Sequence, residues 1–487
     1  MLDDIQLLAI SPLIITGTLA VLLMLVIAFF RHHNWNATLT VAGLNLVLLT
    51  ILVLWILIGS SQPIPVTDLL LVDAYACFFM ALMTVATLAC CTLAHTYLKY
   101  FDDFREEFYL LLVLSLLGAM VLVCSRHFAA VFIGLELLTI PLYGLAAYNR
   151  KNARSLEAGI KYLVVSAGGS AMMLFGIALL YADTGSLSLV GNNSGSPSFI
   201  ILSGVTLVLV ALSIKLSLVP FHLWTPDVYE GTPSPAAAYL ATVAKIAVAA
   251  VLLRWIAMSS TFADTTLQSM LMLAAGLSMI IGNLLAMQQN NLKRLLAYSS
   301  IAHLGYLLTA LSSFNFATIE ACMVYLFTYT FATLVAFGVV ALHSTNHRRL
   351  ASHTSADDAN GLHHYRGLFW KQPYLAVVMT VAMLSLAGMP MSMGFIGKFY
   401  VVLAAVNAAH WWLLAALVIG SGIGLYYYLR VIITLFLREP GLADRSAPTD
   451  WSLTACGVML ILCSVLILLF GVYPEPLLDV AAAGHLF

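Results

Sequence analysis

Five ionisable residues lie in the middle of long apolar segments of this sequence. They are Glu136, Lys215, Lys245, His303 and Lys398, and the neighbours of each are mainly aliphatic and aromatic. A charged side chain at the centre of a membrane helix costs about 3 kcal/mol on insertion scales, so such residues are rare and usually functional. Glutamate, lysine and histidine all bind and release protons. A row of them in an apolar setting therefore predicts a proton relay.

Glu136 and Lys215 form the first predicted pair of this relay. Glu136 lies in FIGLELLTIPLYGL, and Lys215 lies in the apolar run that starts at Phe199. A carboxylate beside a buried lysine favours the charged form of the lysine, and a weaker pair lets the proton leave. We therefore expect a direct ion pair that works as a switch. A static buried salt bridge is the alternative.

The other three residues extend the relay, and each has a structural alternative. Lys245 has no acid in its own apolar run and no polar cluster nearby, so we expect it to contact water. His303 follows Ser299 and Ser300 and suits proton passing, but a lone histidine in a helix is equally often a satisfied core residue. Lys398 is predicted to be the last buried group before the outside. A lysine that snorkels from a helix end is the alternative there.

Two of the lysines lie beside breaks in predicted membrane helices. The stretch Ser213–Pro235, SIKLSLVPFHLWTPDVYEGTPSP, carries Lys215 just before Pro220, which removes a backbone donor. The stretch Ser385–Tyr400, SLAGMPMSMGFIGKFY, is again apolar and interrupted by glycine and proline, with Lys398 beyond the break. The two stretches fall in the seventh and twelfth predicted spans, so they run in opposite directions. Paired broken helices in an inverted repeat are typical of transport sites at the bilayer midplane.

The composition places these breaks inside a membrane. Of the 487 residues, 62% are hydrophobic and 9% are charged, whereas a soluble protein has about 25% charged residues. The formal net charge of −1 gives no reason to expect nucleic acid as a partner. Fourteen apolar windows of about 20 residues predict an all-α polytopic membrane protein. The windows are 10–30, 37–59, 72–96, 107–125, 127–148, 156–181, 199–221, 236–257, 266–287, 294–312, 317–343, 373–404, 411–437 and 451–473.

The distribution of lysine and arginine predicts the orientation of the chain. Loops after odd-numbered spans hold fourteen of the 21 Lys and Arg residues, and the opposite side holds only Arg126 and Arg254. The positive-inside rule then places the odd-numbered loops in the cytoplasm and both termini on the periplasmic side. Lys161 and Arg430 lie in the outer turns of their spans, so we expect both to snorkel to the cytoplasm.

Other polar features have weaker functional interpretations. His222, Asp227 and Glu230 border the first break, where they either line an entrance or cap a loop. The stretch His343–Tyr374 has the composition of a cytoplasmic surface loop, and its histidines lack the spacing of metal ligands. The seven cysteines form no C-x-x-C pair and are expected to be apolar fillers. No motif for a nucleotide, haem, flavin or iron–sulfur cluster is recognisable.

Several runs of the sequence resemble a known family. IKLSLVPFHLWTPDVYEG, LKRLLAYSSIAHLGYLL and SLAGMPMSMGFIGKFY resemble the antiporter-like membrane subunits of respiratory complex I. RSLEAGIKYLVVSAGGSAMMLFGIALLY and YRGLFWKQP are similar to the subunit N group within that family. The resemblance extends from the first span to Pro476. It implies that Glu136 pairs with Lys215, that Lys245 is a central lysine, and that Lys398 connects to the outside.

The resemblance also implies a division of the chain. An N-terminal three-helix segment (1–98) is expected before two inverted five-helix repeats, formed by helices 4–8 (107–257) and helices 9–13 (266–437). The fourteenth helix and a tail (450–487) follow. Helices 7 and 12 are the broken ones.

The implied function is proton translocation by a membrane subunit of NADH:quinone oxidoreductase, from cytoplasm to periplasm, in a bacterial inner membrane. The expected partners are adjacent antiporter-like subunits, small membrane subunits, lipid and protons. NADH, FMN, iron–sulfur clusters and quinone are expected in other subunits, with no cofactor or metal in this chain. The main alternative is a subunit of a multisubunit cation/proton antiporter. A stand-alone solute carrier would need a substrate pocket, and a structural spacer would not need mid-span charges.

Overall fold

The protein is a bundle of helices with one short hairpin. The computed structural model describes residues 3–58, 63–99, 105–190, 197–312, 316–350, 358–438 and 454–484. Strand β1 (Ile64–Val66) pairs antiparallel with β2 (Leu70–Val72). The helices are α1 (Asp4–Ala9), α2 (Ser11–Phe29), α3 (His33–Ile58), α4 (Ala74–Leu98), α5 (Glu107–Cys124), α6 (Phe128–Ala146), α7 (Ala153–Thr184), α8 (Phe199–Leu216), α9 (Trp224–Gly231), α10 (Ser234–Ala241), α11 (Val243–Met258), α12 (Thr265–Met287), α13 (Leu292–Leu311), α14 (Phe316–Leu350), α15 (Leu368–Lys371), α16 (Pro373–Ala387), α17 (Met393–Asn407), α18 (Trp411–Phe436), α19 (Ala455–Val472) and α20 (Glu475–Ala483).

The fourteen predicted spans all correspond to helices. In the described ranges, 12 segments are long and apolar enough to cross a membrane, and α10 and α11 together form one of them. The tenth predicted span is α13, which is less apolar because it carries charged and polar residues including Lys293, Arg294 and His303. The twelfth is divided between α16 and α17, which are short apolar helices. The predicted fold class is confirmed.

Both predicted breaks are present. Helix α8 ends at Leu216, Ser217 takes a left-handed conformation with φ of 61°, and α9 resumes at Trp224. Helix α16 ends at Ala387, and Gly388 has φ of 80°, a conformation that costs glycine little because it has no Cβ. Each break frees carbonyl groups at the end of its first half-helix.

A third break was not predicted. Thr242, with φ of −111° and ψ of −82°, separates α10 from α11 three residues before Lys245. The sequence ATVAK contains neither proline nor glycine, so it gave no sign of an interruption. The Thr242 hydroxyl donates to the carbonyl of Ala238 at 2.7 Å, the side-chain-to-backbone bond with which threonine bends helices.

The most enclosed helices form the centre of the bundle. In the most apolar windows of Ser234–Met258 and of Thr318–Thr345, 94% of residues are buried, against 28% for His33–Leu57. Because the lysine of α11 belongs to the first of these segments, it lies far from the lipid-facing surface. The outer helices α2, α3 and α7 keep apolar side chains exposed, as expected for contact with lipid or neighbouring subunits.

The polar stretch His343–Tyr374 is more structured than a surface loop. Helix α14 continues to Leu350, beyond the predicted end of its span, because a helix that leaves the bilayer loses no backbone hydrogen bonds. Gly361 forms a β-bridge with Asn291, and α15 follows. Residues 351–357, with His353, lie outside the described ranges, as do 450–453 and 485–487 of the predicted C-terminal segment.

Candidate proton-translocation site

Glu136 and Lys215 each bind a serine of α7, and the two serines are neighbours on one face of that helix. The Ser170 hydroxyl donates to Oε1 of Glu136, on α6, and the Lys215 amine donates to the Ser166 hydroxyl. Thr139 accepts a second, longer bond from Lys215 at 3.5 Å. The structure therefore differs from the predicted direct ion pair, because hydroxyl groups stand between the two charges.

Helix α7 positions these serines by its own periodicity. Ser166 and Ser170 are four residues apart, so both face the same side of the helix, toward α6 and α8. The sequence interpretation missed them. Small polar residues at this spacing in the apolar segment VVSAGGSAMM were the available signal.

Lys245 is enclosed and has partners from the first break. Only 1% of the residue is exposed. Its amine donates to the Ser217 hydroxyl and to the carbonyl of Lys215 at 3.3 Å, and lies 5.4 Å from the centre of the Trp224 ring. The sequence around Lys245 shows no polar cluster, because these partners lie about 30 positions earlier in the chain. A cation is favoured at this point because freed carbonyls at a helix end carry partial negative charge.

Lys398 repeats this arrangement at the second break. Its amine donates to the carbonyl of Ala387, the last residue of α16, at 2.8 Å. It also lies 5.2 Å from the centre of the Tyr306 ring, which contributes a cation–π contact. The residue therefore points back into the break and does not snorkel toward a surface.

His303 is held between two tyrosines. Its Nδ1 atom is 2.6 Å from the Tyr325 hydroxyl, and Nε2 is 3.1 Å from that of Tyr428, which also bonds to Ser299. The ring is thus both buried and fully hydrogen-bonded, so the relay and core interpretations both fit its contacts. It also lines a cavity together with Lys398.

A small cavity joins His303 to Lys398. Tyr329 and Ser385 also line it, and the room that the centre of a water can occupy is about 10 Å³. That is about the space one water requires. A water there would place a mobile proton carrier between the histidine and the lysine.

The polar residues around the first break form an ion network. Asp227 pairs with Lys161 at 2.7 Å and with Arg294 at 2.7 Å. Arg294 also pairs with Glu230 at 3.0 Å, which links α9 to the start of α13. Lys161 therefore anchors α7 to α9, a role that the predicted snorkelling did not include. His222 is buried in the break, and neither ring nitrogen hydrogen-bonds to a described residue.

Two buried ion pairs were missed. Arg254, predicted in an outside loop, is 0% exposed in α11 and donates to both carboxylate oxygens of Asp73 at 2.8 Å. Lys293, predicted in a cytoplasmic loop, is buried against Asp358 and the carbonyl of Thr232. The partners are 181 and 65 positions apart in the sequence, so local patterns could not reveal either pair.

The cysteines form no disulfide in the part of the chain that the structure describes. All seven are buried and free. Among those residues, no group of three or more His, Cys, Asp or Glu side chains could hold a metal ion.

Two broken helices within a bundle of apolar helices, each with a lysine bound at its break, define an antiporter-like membrane protein. The sequence model of the NADH:quinone oxidoreductase/Mrp antiporter transmembrane family matches residues 125–424, more than half of the chain.

Comparison with relatives and solved structures identifies the family within this class of membrane proteins. The chain is 52% identical to NADH-quinone oxidoreductase subunit N of Chromohalobacter salexigens, over 97% of this chain and 98% of that protein. It therefore belongs to the subunit N family of NADH:quinone oxidoreductases. A chain of respiratory complex I from Thermus thermophilus, with aureothin bound, is 34% identical. It superposes with a TM-score of 0.82, with 97% of this chain and 100% of that chain covered.

A more distant structure has the same fold. A chain of the Mrp complex from Dietzia sp. superposes with a TM-score of 0.85 at 19% identity, covering 99% of this chain and 97% of that chain. At this identity, the likeness concerns the fold alone.

Proposed function

We propose that this chain translocates protons as a membrane subunit of an NADH:quinone oxidoreductase. Glu136, Lys215, Lys245, His303 and Lys398 are the proposed relay. One observation carries the proposal: serines four residues apart on α7 bind the Glu136 carboxylate and the Lys215 amine, and the Lys245 amine bonds to the backbone carbonyl of Lys215 and to the Ser217 hydroxyl. Buried lysines without such a task are costly, which argues against a structural spacer.

The first step is a switch at the two serines. With Glu136 ionised, its field favours the protonated form of Lys215, while Ser170 holds the carboxylate and Ser166 holds the amine in place. A charge that arrives near the partly exposed Glu136 from a neighbouring subunit would weaken this preference. The Lys215 proton would then move on.

The second step passes the proton to Lys245. The Lys245 amine donates to the backbone carbonyl of Lys215 and to the Ser217 hydroxyl, so it lies at the end of the helix that carries the Lys215 side chain. Two protonated amines near one another in a low-dielectric interior disfavour each other. Arrival of a proton on Lys245 is therefore coupled to its loss from Lys215.

The third step leads through His303 to Lys398. A water in the cavity between them would connect the imidazole to the amine. From Lys398 the proton leaves toward the periplasm. Helix α17 brings Lys398 back to the second break, and that break supplies the carbonyl that holds it.

The chain acts without a redox centre of its own in this proposal. NADH, FMN, iron–sulfur clusters and quinone belong to other subunits, and quinone chemistry there changes the charge beside Glu136. Adjacent antiporter-like subunits and small membrane subunits are the partners. The protein lies in the bacterial inner membrane with both termini on the periplasmic side.

The test uses the purified complex in proteoliposomes without sodium. We expect NADH and quinone to drive a pH gradient that Lys245→Ala abolishes, while Lys371→Ala, at an exposed lysine, leaves it intact. A gradient that forms only from an imposed sodium gradient would instead support the cation/proton antiporter. An unchanged gradient in Lys245→Ala would refute the relay.

A further inference from the structure

Both ring nitrogens of His303 are occupied by tyrosine hydroxyls. Nδ1 lies 2.6 Å from the hydroxyl of Tyr325 on α14, and Nε2 lies 3.1 Å from the hydroxyl of Tyr428 on α18. Each nitrogen of an imidazole has one hydrogen-bonding position, which is either an N–H or a lone pair. While these two bonds persist, a water cannot bind the ring nitrogens. Every proton that enters or leaves the ring must then pass through a tyrosine hydroxyl.

Tyr325 is the tyrosine on the cavity side of the ring. It lines the cavity together with His303 and Lys398. Among the described residues, its hydroxyl has a hydrogen bond to His303 alone. A hydroxyl offers one donor and two acceptor positions, so this group can also bond to a water in the cavity. That water would be one step from the Lys398 amine.

Tyr428 is held at the other nitrogen by a serine. The hydroxyl of Ser299, one helical turn before His303 in α13, bonds to the Tyr428 hydroxyl. Ser299 and Tyr428 are 2% and 1% exposed. The Tyr428 hydroxyl therefore has a hydrogen-bond neighbour on each side, as a group that passes protons along a chain requires.

These four groups can hold their protons in two ways. A neutral imidazole has one N–H and one bare nitrogen, so one tyrosine donates to the ring and the other accepts from it. In the first arrangement, Ser299 donates to Tyr428, Tyr428 donates to Nε2, and the Nδ1–H group donates to Tyr325. In the second, all three bonds point the opposite way. The heavy atoms keep their positions, so the change requires no movement of the buried side chains.

We propose that Tyr428 delivers protons to His303 and that Tyr325 carries them from His303 to the cavity beside Lys398. The inference rests on the proposed function, because it needs His303 and Lys398 to belong to the relay. Lys245 remains the group that precedes this step.

The transfer balances its protons. Tyr428 gives its hydroxyl proton to Nε2 as it takes up the incoming one. Nδ1 gives its proton to Tyr325, which releases its own into the cavity. One proton enters and one leaves, and no electron moves. Because the shifts are concerted, no ionised tyrosine is left in the apolar interior, where an isolated charge is costly.

The functional test removes each hydroxyl and keeps each ring. In assembled complex reconstituted in proteoliposomes, Tyr325→Phe and Tyr428→Phe should each lower NADH-driven proton translocation at least about tenfold. A positioned proton-transfer group contributes about a hundredfold or more, and a water in the vacated space replaces only part of it. The matched control is Tyr109→Phe, which should translocate protons at the wild-type rate. Tyr109 is a buried tyrosine of α5 that packs on His33 and Phe108.

The outcomes separate the two claims. If Lys245→Ala abolishes translocation and both tyrosine variants retain it, the tyrosine route is refuted and the relay stands. If Lys245→Ala also retains translocation, the proposed function fails and the inference fails with it. A loss in only one of the two tyrosine variants would contradict the route, which needs both hydroxyls. An equal loss in Tyr109→Phe would also refute it, because the effect would then not be specific to His303.

A second measurement decides the matter if the variants do not assemble. A cryo-EM map of the wild-type complex, sharp enough to show ordered water, should contain a water in the cavity within hydrogen-bonding distance of the Tyr325 hydroxyl. A water bonded directly to a nitrogen of His303 would overturn the proposal, because the ring would then exchange protons without a tyrosine. A cavity without water would overturn it as well.

Discussion

The two broken helices place a lysine in the same way but surround it differently. At the first break, the Lys245 amine meets a carbonyl freed at the end of α8. At the second, the Lys398 amine meets one freed at the end of α16. The first break also has a second lysine, Lys215, whose amine binds a serine of α7. A neighbouring serine of the same helix binds the Glu136 carboxylate. Around Lys398 the described residues supply aromatic rings, a histidine and a cavity, but no paired carboxylate.

This difference indicates that the two breaks are suited to different steps of translocation. A lysine linked to Glu136 responds to any charge that changes the ionisation or position of that carboxylate, so the first break is suited to receive a signal. A lysine held by a carbonyl and a ring has no mobile counter-charge. The second break is therefore suited to pass on a proton that the first has set in motion.

The largest expected effect comes from removing the amine of the second break. Lys398→Met keeps the length of the side chain but removes the last relay group, so NADH-driven proton translocation should fall at least about hundredfold. The measurement is the pH gradient of reconstituted complex, with Lys371→Met as the control. A normal gradient would show that the second break is not part of the route.

A smaller effect is expected from the bridge at the first break. Ser166→Ala removes the hydroxyl that Lys215 contacts, and a hydrogen bond to a charged group contributes about 2 kcal/mol. Translocation should therefore fall roughly thirtyfold. Ser166→Thr retains the hydroxyl and should restore most of it. If Ser166→Ala pumps normally, Glu136 and Lys215 communicate without this serine.

The smallest effect concerns the backbone of the second break. Gly388 has φ of 80°, and a Cβ there would lie 2.6 Å from Cδ of Lys398. Gly388→Ala should cost about 1–2 kcal/mol in backbone strain and displace the lysine, so translocation falls about tenfold. Ala387→Gly, one position earlier, is the control because it keeps the carbonyl that Lys398 uses. Proton translocation by the Gly388→Ala variant at the wild-type rate would show that the position of Lys398 is not critical.

The sequence was most informative where rarity or backbone chemistry gives a signal. Lysines inside apolar runs marked Lys215, Lys245 and Lys398, and proline and glycine marked both predicted breaks. The break at Thr242 could not be predicted from the sequence. Threonine bends a helix only when its hydroxyl bonds to a preceding backbone carbonyl, as Thr242 does to Ala238.

Partners distant in the sequence could not be predicted. Ser217 meets Lys245 only because α8 and α11 fold together, and Asp73 meets Arg254 across 181 positions. Ser170 and Ser166 bind Glu136 and Lys215 separately, in place of the predicted direct contact between the two charges. A charge pattern indicates which residues interact, but the groups between them depend on tertiary packing.

The most direct test of the account is NADH-driven proton uptake by inverted membrane vesicles that contain equal amounts of assembled complex. Wild type would be compared with Lys215→Ala and Glu136→Ala. We predict that both variants lose the pH gradient, because the first break then has no switch. A full gradient in both would mean that this pair is structural, and it would contradict the proposed relay.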